Sequence, residues 1–222
     1  MVNILLEGYD LDAAWLYDDL KAYIKPDYKV AVVAFSFRDN RVKSNYDWEL
    51  LYSKEQGKYY SGIVDSFGSY GISEQNICFV NYFEDSKESA KTKIANADII
   101  YFLGGLPDRM MDRIKDFDLL DLLAHHNKVV VGYSAGAAVQ LEEYHLSPDH
   151  DYSNFNYYNG IPYLKDFYLQ VHFENTDEQL ASINKVLKER GKPVYATHTG
   201  KGAVIVENGR IKTVGIVTVF NI

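Results

Sequence analysis

Five short runs dominated by apolar residues, each followed by a stretch of helical period, constrain this chain more than any other feature. The runs are residues 2–6, 30–35, 77–83, 98–103 and 128–132. A strand that is apolar along its whole length needs cover on both faces. Strands of this kind alternating with helical segments predict a parallel sheet with helices on either side. The expected helices are residues 11–24, closed by Pro26; 48–67, one long helix or two short ones interrupted at Gly57 and Gly62; 86–97; 107–125, with Pro107 in its first turn; and 135–144.

Between residues 146 and 163 the pattern dissolves into Pro, Asp, Asn and Tyr, which predicts a long irregular loop. Loops of that length in compact domains are usually functional or mobile. Periodic structure returns with a strand at 167–173, a helix at 177–190 and a strand at 194–197. Residues 204–206 and 211–214 flank Asn208-Gly209, a strong hairpin signal, and 216–220 closes the chain. No repeat, low-complexity tract or linker divides the 222 residues, so one domain, 1–222, is expected.

Composition removes several function classes. A formal net charge of −8 without a Lys/Arg run makes a poor general binder of nucleic acid. No apolar run approaches ~18 residues, so no membrane span is expected. Residues 1–8 lack the basic-then-apolar order of a secretion signal, which leaves the cytoplasm as the default location. The single cysteine, Cys78, has no internal partner and reads as a small core residue. The histidines show no ligand-type spacing with Cys or carboxylates, so neither a metal nor another cofactor is called for. The 19 Tyr fit ordinary surface and interface rings, or a cleft lined by amphipathic ones.

The chemistry is carried by Gly132-Tyr133-Ser134-Ala135-Gly136-Ala137, directly after Val129-Val130-Val131. A serine hydroxyl is a weak nucleophile unless it is held exposed beside a base. A sharp strand-to-helix turn does the holding, and small residues at 132 and 136 avoid collisions between strand and helix. The turn also places the amide of Ala135 where an oxyanion forms. A second oxyanion donor is expected in the amide of Gly105, in the loop Leu103-Gly104-Gly105-Leu106-Pro107 at the same sheet edge.

Six histidines compete for the base. His125 and His126 end a helix, and His145 and His150 lie in the irregular loop. His172 and His198 both lie near the carboxyl end of a strand, where sites form in open parallel sheets, and the residues alone leave them nearly tied. Acid candidates are Asp149 and Asp151, with Glu142, Glu143 and Glu174 behind them. The chain order nucleophile, acid, histidine suits Ser134, Asp149 or Asp151, and His172.

The serine motif resembles the nucleophile segment of peptidase E, the aspartyl dipeptidase family that also contains cyanophycinase-like enzymes. Gly104-Gly105 is similar to that family's oxyanion loop, and Gln170-Val171-His172-Phe173-Glu174-Asn175 to its histidine segment. The resemblance runs from about residue 98 to 200. It implies an α/β fold similar to class I glutamine amidotransferases, a mostly parallel sheet with helices on both faces, here with a C-terminal hairpin. It implies a serine exopeptidase hydrolysing short peptides through an acyl-enzyme, with Ser134 as nucleophile, His172 as base and Asp149 favoured over Asp151 as acid. The implied partner is a short peptide, with a homodimer as the assembly to test for. The sequence departs from the family at Leu106, where Asn or Asp is usual, and at Thr197-His198-Thr199-Gly200, where an acid is usual. In the helix after His172, Asp177-Glu178-Gln179 stands where an arginine suited to an aspartyl side chain is expected. Peptidase chemistry therefore carries over better than aspartyl specificity. An esterase of the lipase-like class and a non-catalytic binding module on the same fold are the competing readings.

Overall fold

The computed structural model describes residues 1–221. Its centre is five parallel strands: β1 (Val2–Leu6), β2 (Val30–Val33), β3 (Ile77–Val80), β4 (Ile99–Phe102) and β5 (Val129–Tyr133), in the spatial order β1-β5-β4-β2-β3. β2 and β4 are buried along their whole length, as is β1 beyond its first residue. Such strands demand cover on both sides, and the apolar core divides accordingly into two large clusters, one on each face of the sheet.

The helices that follow these strands are α1 (Ala14–Leu20), α2 (Asn45–Tyr52), α3 (Tyr60–Gly68), α4 (Lys87–Ala95), α5 (Pro107–Asp116), α6 (Leu120–Ala124) and α7 (Ala135–Ala138). Ser44 and Ser86 cap α2 and α4 by accepting from the amides of Asp47 and Ser89. Pro107 opens α5, where its missing N–H costs nothing. The expected helix at 48–67 is two helices. The break begins at Ser53, which turns extended (ψ 156°), and Gly57 lies in the turn that follows, where a Cβ would lie 2.4 Å from the Ser53 carbonyl oxygen. The segment 107–125 is likewise two helices, separated around Asp118, whose φ is 53°.

The second half departs more from expectation. The helix expected at 135–144 stops at Ala138, and the chain runs into β6 (Glu143–Leu146), which pairs antiparallel with β7 (Asn156–Asn159). The supposed irregular loop therefore carries half of a hairpin. Buried Tyr144 of β6 stacks on Tyr158 of β7, their rings 5.7 Å apart, and this pairing outweighs helical propensity. β8 (Tyr168–Phe173) and α8 (Asp177–Arg190) follow. α8 is capped by Thr176 and stopped by Gly191 in the left-handed conformation, φ 64°.

The strands expected at 194–197 and 204–206 are one long strand, β9 (Val194–Glu207). Those at 211–214 and 216–220 are one strand, β10 (Arg210–Phe220), with a bulge at Gly215. Asn208-Gly209 joins them with positive φ at both residues, 49° and 79°, the signature of a type I′ turn. β9 runs antiparallel to β1 along its second half and parallel to β8 along its first. The sheet of eight strands is thus mixed at one end and parallel through its core. Among the described residues no helix is long and apolar enough to cross a membrane.

Candidate active site

The carboxyl ends of β1 and β5 lie side by side, with Leu6 opposite Tyr133, and the Ser134 amide donates to the Leu6 carbonyl at 3.0 Å. Glu7 and Ser134 are therefore neighbours, although 127 positions separate them in the chain. Ser134 adopts φ 52°, ψ −115°, outside the regions open to most L-residues. Close packing imposes this conformation. A Cβ on Gly132 would lie 2.0 Å from the Gly136 carbonyl oxygen, and one on Gly136 would lie 2.1 Å from that of Phe102. Beneath the turn the buried Gln140 amide donates to the carbonyls of Gly136 (3.1 Å) and Ile4 (3.3 Å), while its oxygen accepts from Asn3 (3.0 Å). Strand, turn and helix are thereby held as one body.

His172 reaches the site from the end of β8. The pairing of β8 with β9 slips between Gln170 and Phe173, and His172 itself has φ 51°. That local irregularity turns the imidazole toward Ser134. The segment is then fixed by Gln179 of α8, which donates to the His172 carbonyl at 2.7 Å and accepts from the Glu174 amide at 2.8 Å. The imidazole Nε2 stands 2.8 Å from Ser134 Oγ, and Nδ1 stands 2.6 Å from Glu7 Oε1. The other oxygen of Glu7 accepts from the Gly200 amide at 2.7 Å. Burial of Glu7 works against its ionisation, but the His172 and Gly200 hydrogen bonds and the imidazole's charge outweigh it. Its pKa lies below the ordinary glutamate value.

The carboxylate at His172 is therefore Glu7, and the expectation of Asp149 or Asp151 is corrected. The Asp149 carboxylate accepts from the amides of Asp151 (2.7 Å) and Tyr152 (2.8 Å), closing its own turn. Asp151 is ion-paired with Arg38. Asp149, His150 and Asp151 bring potential ligand atoms within 4.8 Å of one another, but all three are exposed and both carboxylates already have these partners. His198 bonds to Thr218 Oγ1 at 2.8 Å and packs against Phe173, away from Ser134. Of the remaining acids, Glu143 pairs with Arg190 and Glu174 accepts from Thr199. The sequence did hold a signal for Glu7: an acidic residue directly after an apolar strand, at the sheet edge where Ser134 lies.

Gly104-Gly105 lines the same cleft as Ser134 and His172. Ser36 Oγ donates to the Gly104 carbonyl at 2.6 Å, which fixes the plane of the peptide between the two glycines. The Gly105 N–H then points away from Ser36, because carbonyl and amide of one trans peptide point in opposite directions. Gly105 has φ 143°, and a Cβ there would sit 2.3 Å from the Ser36 carbonyl oxygen, so the position admits only glycine. The Ala135 amide opens α7, where the first N–H groups have no partner within the helix.

Ser134, His172, Glu7 and Gly105 share a cleft of about 340 Å³ with Tyr9, Asp10 and Tyr133. The tyrosines that line it are thus Tyr9 and Tyr133, not those of the 146–163 segment. Tyr152 instead donates to Asp108 at 2.6 Å, Tyr157 to Glu189 at 3.0 Å and Tyr163 to the Leu123 carbonyl at 2.6 Å.

Comparison with known proteins agrees with this architecture. The model of peptidase family S51 matches residues 52–214. A crystal structure from Listeria monocytogenes EGD-e, of a protein described provisionally as peptidase E, superposes with a TM-score of 0.66 at 17% identity. The match covers 97% of this chain and 98% of that one. A peptidase from an acI-B1 Actinobacterium superposes with a TM-score of 0.65 at 14% identity, covering 99% of this chain and 93% of that one. No curated protein sequence matches. Glu7 lies upstream of the segment that the family model matches.

Proposed function

The chain belongs to peptidase family S51, and from this premise we propose that it is a serine peptidase that hydrolyses short peptides through an acyl-enzyme on Ser134. The observation that carries the reading is the continuous chain of hydrogen bonds from Ser134 Oγ through the His172 imidazole to Glu7. Ser134 Oγ attacks the peptide carbonyl carbon while His172 Nε2 takes its proton. Glu7 holds the ring in the tautomer that leaves Nε2 free to accept, and it stabilises the imidazolium that forms. The developing oxyanion accepts hydrogen bonds from the amides of Gly105 and Ala135. His172 then protonates the departing amine, and a water molecule activated by the same ring hydrolyses the acyl-enzyme.

Short substrates fit the dimensions. A cleft of about 340 Å³ is at the small end of the roughly 300–1,000 Å³ typical of small-molecule sites. Ser134→Ala is expected to lower kcat on a dipeptide panel by about 10³-fold or more and to abolish labelling by a fluorophosphonate probe. Equal turnover by wild type and variant would end the proposal.

A further inference from the structure

The cleft at Ser134 contains one charged group that the proposed chemistry leaves unused. Asp10 is exposed, lines the cleft and forms no salt bridge among the described residues. We propose that Asp10 determines specificity by receiving a cationic group of the substrate, an ammonium or guanidinium, between its carboxylate and the rings of Tyr9 and Tyr133. The inference rests on the serine-peptidase reading and names the class of substrate that reading left open.

Three observations converge on it. The first is charge. No Lys or Arg lines the cleft, and Glu7, the other carboxylate there, is engaged by His172 and the Gly200 amide. The charge left to meet a substrate is therefore the negative charge of Asp10. Beside the cleft, Glu174 accepts from Thr199 of the lining and adds charge of the same sign. An acidic substrate side chain would be repelled and a cationic one drawn in.

The second is the aromatic surface. Tyr9 meets Tyr133 edge-on, their ring centroids 6.2 Å apart, and both rings line the cleft. Aromatic faces attract a desolvated cation, so carboxylate and rings favour the same ligand. The third is preorganisation. Leu11 is fully buried and its carbonyl accepts from the Tyr70 hydroxyl at 2.8 Å. The Leu11 amide donates to the Tyr9 carbonyl at 2.8 Å, and the Ala13 amide donates to the Asp10 carbonyl at 3.1 Å. The backbone carrying Tyr9 and Asp10 is thus anchored before any ligand arrives.

A substrate cation can come from a side chain or from a free amino terminus, and anilide substrates separate the two. N-acetyl-lysyl anilide carries only the side-chain cation, leucyl anilide only the terminal one, N-acetyl-leucyl anilide neither. At least one cationic substrate is expected to exceed the neutral one in kcat/KM by about five-fold or more, with that ratio falling toward one in Asp10→Asn. In parallel, N-acetyl-lysinamide and leucinamide are titrated calorimetrically into wild type and Asp10→Asn, which needs no turnover. Weaker binding of a cationic amide to the variant supports the proposal. An unchanged ratio in a variant whose Ser134 still labels with fluorophosphonate, or equal affinity of the amides for both proteins, overturns the role of Asp10 alone. Failure of wild-type Ser134 to label overturns the serine reading instead, and the titration then decides Asp10 on its own.

Discussion

At Glu7 a single carboxylate meets two donors with its two oxygens, the His172 ring at 2.6 Å and the Gly200 amide at 2.7 Å. An acid that orients a catalytic imidazole must stay ionised across the working pH range. Glu7 meets that demand because its partners outweigh the cost of its burial. A carboxylate whose folded pKa is depressed stabilises the fold above its unfolded pKa, and the contribution disappears as pH falls through the folded value. The Glu7 interaction is thus complete at neutral pH and is lost only in acid, below the ordinary glutamate range. Glu7→Gln is expected to lower kcat by about 10³- to 10⁴-fold, the scale set by removing the carboxylate of a serine triad. Asp149→Asn, assayed beside it, is expected to stay within about two-fold of wild type, because Asp149 only closes its own turn. A large loss in Asp149→Asn with activity kept in Glu7→Gln would reverse the assignment.

Within elements, close approach and open space separate glycines that look alike in the sequence. Gly136 lies where β4 presses on the start of α7, with no room for a methyl group. Gly136→Ala is expected to destabilise the fold by more than about 3 kcal/mol and to slow Ser134 labelling, measured by urea unfolding and probe kinetics. Gly62, inside α3, would place a Cβ in open space. Gly62→Ala is expected to raise stability by about 0.5–1 kcal/mol, because alanine loses less backbone freedom on folding. The same contrast explains which element boundaries were readable. α8 spans 177–190 as expected, since Thr176 and Gly191 mark its two ends chemically. The early end of α7 carries no such mark. It follows from contacts with distant chain, where the Ile161 amide donates to the Val139 carbonyl at 2.7 Å and the Glu142 amide to that of Leu164 at 2.8 Å.

Across the whole molecule, the β6–β7 hairpin is tied to the main sheet through a buried histidine. His145 is 4% exposed, and its Nε2 meets Gln170 Oε1 of β8 at 3.1 Å while Nδ1 has no partner. Burial lowers its pKa to about 4, against the usual 6.5, despite the Gln170 bond. Below pH 6.5 the unfolded chain binds a proton that the native state refuses, so stability falls as pH drops from about 6.5 to about 4. The loss is about 3 kcal/mol. His145→Asn is expected to flatten that part of the curve in urea titrations at stepped pH; an unaltered slope would remove His145 as the cause.

The sequence alone determined the parallel core and the serine turn, because both depend on residues close together in the chain: apolar runs that need two covered faces, and small residues on either side of a hydroxyl. The resemblance carried by residues 170–175 settled His172 over His198. The carboxylate beside His172 was decided only by tertiary structure. β1 is central in the sheet, with β5 on one side and β9 on the other, so Glu7 is brought against Ser134, His172 and Gly200 from the opposite end of the chain. Local pattern fixes what each strand is; only the order in which strands pair fixes which of their ends meet.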